Sequence, residues 1–146
     1  MDHPDWIKKQ KEAITRIAQP DWHYADVGTC RGEILSLLQR FMSQGYAFEA
    51  TPANVTFLNQ NFAHPKVDIV SSAVGSMNGD ALFYLGKTQE EGSLLGHDMS
   101  FNKLTEHIDV PCLTLDSYFE NKRIDFIKLD VEGSEWEVLE GSMKLL

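Results

Sequence analysis

The chain has 146 residues, 42% of them hydrophobic, 24% charged and 10% aromatic, which is the profile of one folded domain and excludes disordered, collagen-like and coiled-coil polypeptides. A chain of this length buries roughly 68 to 70% of its unfolded surface, so its core needs no disulfide or metal staple. Thirteen basic against twenty-two acidic residues leave a net charge of -9, the opposite of what a clamp on a phosphate backbone requires.

Nucleic acid is therefore not an expected partner. No apolar run approaches the ~20 residues of a spanning helix, and the start of the chain, with Asp2 and Asp5, lacks the apolar core of a signal peptide, so no membrane is expected and the location reads as cytoplasmic. Cys30 and Cys112 are too few for a disulfide framework and have no zinc-type spacing; both read as reduced thiols.

The apolar pattern alternates between strand and helix periods, which means α/β. Trp6, Ala13, Ile14 and Ile17 sit at helical spacing behind Pro4 and before Pro20, giving a first packing helix within residues 1–20. A core over 21–146 follows, the whole forming a single domain. Its first unit is a strand Tyr24 to Val27, a turn Gly28 to Gly32, and a helix with Ile34, Leu35, Leu37, Leu38, Phe41 and Met42, with Gly45 expected as its C-cap. Tyr46 to Glu49 is the second strand. Thr51 and Pro52 open a helix carrying Val55, Phe57, Leu58 and Phe62.

Val67 to Val74 reads as a third strand, and Asn78-Gly79 before Ala81 to Leu85 as the turn of a hairpin with it. Gly86 to Thr105 reads as loop; within it Glu90 to Asn102, with Ser93 and His97, has the composition of either a lid or a plain surface loop. Val110 to Leu115 is a strand, and Asp116 is the expected cap of a short helix through Phe119. Ile124 to Leu129 is the most apolar strand and suits a central position. Ser134 and Glu137 have capping-box spacing before a helix with Trp136, Val138, Leu139, Met143 and Leu146.

Right-handed crossovers put the second strand beside the first and the third beyond it, so the Ile124 strand joins on the other flank. This creates a switch point, where open α/β sheets bind ligands, and Asp26, Glu49, Asp130 and Glu132 all fall at strand ends there. Such a mouth repels phosphate and attracts a cation, for example a sulfonium nucleoside. The turn DVGTCRG, Asp26 to Gly32, is neither GxGxxG nor a P-loop. Glu49 ends the second strand, where this kind of fold places an acid to accept from both ribose hydroxyls. Lys128, set between apolar neighbours, is expected to reach the mouth or to pair with a carboxylate.

DVGTCRG, FEATP (Phe48 to Pro52) with Asn54, TLDSYF (Thr114 to Phe119) and IKLDVEGSEWEVLEG (Ile127 to Gly141) together resemble FkbM-type methyltransferases, from about Tyr24 to the end of the chain. The resemblance implies a Rossmann-like class I methyltransferase fold, a mostly parallel sheet in a three-layer αβα arrangement. It also implies S-adenosylmethionine as cofactor and methyl transfer to a hydroxyl of a small molecule or glycan. By motif match, Asp26 and Gly28 line the methionine and ribose side, with Thr29, Cys30 and Gly32 completing the turn. Glu49 with Ala50 holds the ribose, Ser72 and Ala73 flank the adenine, and Asp130 and Glu132 face the methyl group and acceptor as candidate bases. Thr29, Cys30 and Ala50 depart from the more usual DVGAN-x-G and FEP.

Plainer readings stand beside these. Gly28 and Gly32 are also what a tight turn needs, and Asp130 and Glu132 are also charges welcomed by a helix start. Carboxylates can recruit a divalent cation to acidify a hydroxyl, but no compact ligand set is present and no metal ligand is assigned. A complete fold of this class continues past the DVEG helix with further strands, so Ile124 to Val131 is a candidate sheet edge, and a second copy or a partner chain is expected to cover it. The competing functions are a cofactor-binding fragment or subunit without turnover and a dinucleotide-binding module.

Overall fold

The computed structural model describes residues 5–86, 92–95 and 106–146, apart from the Trp6 side chain. Its elements in chain order are α1 (Asp5–Ile17), β1 (His23–Val27), α2 (Leu35–Phe41), β2 (Gln44–Glu49), α3 (Pro52–Asn61), β3 (Val67–Ser71), β4 (Ala73–Val74), β5 (Gly79–Leu85), β6 (Gly92–Ser93), β7 (Glu106–Leu113), α4 (Leu115–Tyr118), β8 (Phe126–Leu129) and α5 (Glu135–Glu140). Pro4, His97 and the expected lid other than 92–95 lie outside the described residues.

The main sheet is parallel throughout, in the order β3-β2-β1-β8. This is the predicted reversal at β1. Side chains alternate across it, as strand geometry requires. On one face Tyr24, Ala47 and Val67 pack with Ile14 of α1, Leu35 and Leu38 of α2 and Leu58 of α3. On the other, Ala25, Val27, Tyr46 and Phe48 pack with Leu115 of α4, Phe119 and Val138 of α5. The result is the three-layer Rossmann-like α/β arrangement. Along α1 the buried stripe is Ile7 and Ile14, with Ala18 just beyond the helix; Ala13 and Ile17 face outward instead.

Several local expectations give way to tertiary contacts. Met42, already extended, ends α2, and Gly45 belongs to β2. It is glycine because a Cβ there would stand 2.3 Å from the buried Tyr24 ring, its register partner in β1. The expected strand 67–74 breaks at Ser72, whose hydroxyl donates to the Ala73 and Pro111 carbonyls, and β4 leaves for a second sheet.

That sheet runs β4-β7-β5-β6, so β7 lies between β4 and β5 and the Asn78-Gly79 turn makes no hairpin with β4. Asn78 instead accepts from the Thr114 N–H and the Ser117 hydroxyl. Thr114, not Asp116, caps α4 by accepting the Ser117 N–H, while Asp116 receives the N–H groups of Lys144 and Leu145.

β8 pairs with β1 on one side and, among the described residues, with nothing on the other. All four of its residues are half-buried, so the most apolar strand is not central here. α5 is shorter than its apolar pattern foretells and buries Val138, leaving Trp136 and Met143 exposed. Among the described residues no helix is long and apolar enough to cross a membrane.

Candidate functional site

A cleft opens at the carboxyl ends of β1, β2 and β8, where the strand order reverses. It has about 520 Å³ of empty space counted out to its mouth. Gly28 and Cys30 from the turn, Glu49 and Ala50 after β2, Ser72 and Ala73 at the sheet break, and Asp130 and Glu132 after β8 all line it. The sequence reading is thus brought together at eight of its positions. Asp26, Thr29 and Gly32 are not on the wall. Thr29 is buried, its hydroxyl donating to the Asp26 carbonyl at 2.7 Å, and Gly32 packs against the Phe62 ring.

The turn consumes its own donors. The N–H groups of Gly28 and Thr29 both donate to the Phe48 carbonyl, that of Gly32 to Thr29, and that of Cys30 to Glu49 Oε2 at 2.8 Å. The cradle of free amides expected at a glycine turn is therefore not offered by these four residues. Glu49 is buried and its other oxygen accepts the Thr51 N–H at 2.7 Å, so one carboxylate ties the turn to the start of α3. Each oxygen keeps a second acceptor position.

Among the described residues two that are not glycine have a left-handed backbone, Cys30 and Glu132, both at φ 52, and both line the cleft. Strain of this kind persists where the surroundings over-determine it, and it concentrates at ligand sites.

Asp26 is fully buried, and the four-carboxylate mouth is in fact three carboxylates with a charge pair behind them. Asp26 and Lys128 are register partners on β1 and β8, so they share a face of the sheet. The Lys128 Nζ lies 3.1 Å from Asp26 Oδ1 and 3.7 Å from Asp130 Oδ2, and it donates to the Gly28 carbonyl at 3.1 Å. Burial pushes the Asp26 carboxyl upward while Lys128 pulls it back. Burial also works against the Lys128 charge, but the two carboxylates more than restore it, and its value is raised.

A carboxyl raised in the folded state contributes stability below its unfolded value and loses it as pH rises through the folded value. Lys128→Met removes the opposing cation, so the variant is expected to lose about 3 to 5 kcal/mol at pH 7 and distinctly less at pH 4. Urea unfolding at the two pH values checks this; an equal loss at both would mean that Asp26 does not carry the effect.

Sequence reasoning missed the far wall. Phe83 of β5, Gly92 of β6 and Leu94 line the cleft with Val74, Thr51 and Asn54. Gly92 leaves room for the Phe83 ring, since a Cβ there would sit 2.5 Å from it. Strand alternation in β5 points Phe83 inward, but its target depends on how the second sheet folds back. Ser134, at the N-cap position of α5, makes no cap bond; its buried hydroxyl meets that of Ser93 at 3.0 Å. Glu135 accepts the N–H groups of Val131 and Gly133 in the loop before the helix. Among the described residues no group of three or more His, Cys, Asp or Glu could hold a metal ion.

Comparison with known proteins bears on the family and the fold. The profile of the methyltransferase FkbM domain matches residues 26–146. Among solved structures, methyltransferase FkbM from Methylobacillus flagellatus KT superposes with a TM-score of 0.58 at 17% identity, over 86% of this chain and 30% of that one. The 23S rRNA methyltransferase ErmE gives a TM-score of 0.40 at 19% identity, over 53% of this chain and 36% of that one. No curated protein sequence matches. With a family profile covering nearly everything from β1 onward, the chain belongs to the FkbM methyltransferase family.

Proposed function

We propose that the cleft binds S-adenosylmethionine and that the domain transfers a methyl group to a hydroxyl of a small molecule or glycan. One observation carries this reading: the turn's amides are spent inside the protein while Glu49, Asp130 and Glu132 line the cleft around it. Such a wall disfavours a pyrophosphate and suits a cation carried on a ribose. The cofactor, when bound, supplies a methyl group on a positively charged sulfur.

The residues present fit that group. The free acceptor positions of Glu49 suit a diol, since a carboxylate accepts from two hydroxyls at once. Ala73, Val74, Phe83 and Leu94 form an apolar wall for a base. In this reading Asp130 or Glu132 takes the hydroxyl proton as the acceptor oxygen takes the methyl group. The Ser93 to Ser134 contact holds β6 beside the mouth and helps keep water out.

Calorimetric titration of S-adenosylmethionine, S-adenosylhomocysteine and NADH tests the reading. Saturable binding of the first two and none of the third is expected. Binding of NADH alone would replace it with a dinucleotide site, and binding of the adenosyl ligands with no methylation of any hydroxyl acceptor would leave the domain a cofactor-binding unit.

A further inference from the structure

The three oxygens around Lys128 come from three parts of the site. Asp26 lies in β1, the Gly28 carbonyl lies in the turn that follows it, and Asp130 begins the loop after β8. The ammonium donates a hydrogen bond to the Gly28 carbonyl at 3.1 Å and forms ion pairs with Asp26 at 3.1 Å and Asp130 at 3.7 Å. The two loops already touch: a Cβ on Gly28 would stand 1.9 Å from the Asp130 carbonyl, and the Asp130 N–H donates to Val27. Neither Asp26 oxygen has a hydrogen-bond partner among the described residues, so the ion pair with Lys128 is what answers its buried charge.

We propose that Lys128 is the positioning residue of this site, binding the turn at Gly28 and the carboxylate of Asp130 to the buried Asp26 so that the cofactor side and the acceptor side of the cleft are held as one body. This rests on the cofactor reading given above, and it assigns work to a residue that touches neither ligand. Rigid support of this kind fixes reacting groups within fractions of an ångström, where small misplacements are costly. The plain competing role is that of a counterion which only neutralises Asp26.

The double variant D26N/K128M separates the two roles, because it removes both buried charges together. A mere counterion is no longer needed there, and the parent's behaviour returns. A positioning residue is still missed: amides of 28–32 and 130–134 in the ligand-free chain are expected to exchange hydrogen about tenfold faster, together, while those of β2 and β3 keep their protection. Affinity for S-adenosylhomocysteine is expected to fall by about tenfold as well.

Parent-like exchange in either segment overturns the proposal, as does parent-like affinity. If D26N/K128M does not fold, D26N/K128Q carries the same comparison, with a neutral side chain whose amide still leaves Asp130 without its cation. If the parent itself binds no S-adenosylhomocysteine, the cofactor reading fails and the exchange rates alone decide whether Lys128 couples the loops.

Discussion

Gly28→Ala is expected to cost about 3 to 5 kcal/mol of stability and to abolish cofactor binding. Two separate penalties meet at this residue. Its φ of +75 is left-handed, which costs a residue with a Cβ about 1 to 2 kcal/mol. The new carbon would also lie 1.9 Å from the Asp130 carbonyl oxygen and 2.9 Å from its carbon, and both obstacles are backbone.

Relief would require β1 and β8 to separate where Asp130 N–H is bonded to Val27 at 3.0 Å, the hinge on which the cleft is built. Gly133→Ala is the control. Its φ of +98 imposes the same kind of backbone strain, yet nothing lies within 4 Å of the added carbon, so about 1 to 2 kcal/mol is expected there. Urea unfolding of the two variants compares them directly. Equal losses would show that the close approach of the two loops is not as tight as described.

Glu49→Ala is expected to remove cofactor binding altogether and to cost about 2 to 4 kcal/mol in stability. The stability loss comes from stranding the N–H groups of Cys30 and Thr51, which now donate to the carboxylate at 2.8 and 2.7 Å. The Cys30 bond is made by a residue whose backbone is left-handed, at φ 52, so its loss also removes a restraint on a strained conformation.

The binding loss has two sources, the missing acceptors for a diol and the relaxed turn. Glu49→Gln distinguishes them. It keeps one acceptor oxygen but turns an N–H toward another N–H, so it is expected to recover part of the stability and little of the binding. Titration of S-adenosylhomocysteine into both variants, alongside their melting temperatures, checks the pair. Full binding by Glu49→Ala would remove Glu49 from the cofactor site.

What was legible in the sequence follows from the range over which each signal acts. Crossover handedness and apolar periodicity act between adjacent elements, and they place the parallel order around β1 and the three carboxylates that line the cleft after β2 and β8. Asp26 reads as a mouth residue from its place near a strand end, yet it is buried behind the wall beside Lys128, a cross-strand neighbour from the far end of the chain. The hairpin failed for the same reason: β7 inserts between two strands that are close in sequence. Ser134 has the right spacing for a capping box, yet a hydroxyl from Ser93 claims it. In each case local chemistry was read correctly and a distant partner outbid it.

The pairing of β1 with β8 also bears on the order in which the molecule assembles. β1 finds β2 close by in the chain, whereas the bonds that seat β8 join residues such as His23 and Asp125, 102 positions apart. Closing so long a loop is entropically late, so β1, β2 and β3 are expected to form the folding nucleus with β8 docking afterwards. On that order Asp26 is expected to stay hydrated until β8 docks, so that the charge pair is made and desolvated together. Leu129→Ala should then speed unfolding and leave the refolding rate nearly unchanged, while Phe48→Leu should slow refolding. Chevron kinetics read this, and comparable slowing of refolding by both would reverse the order.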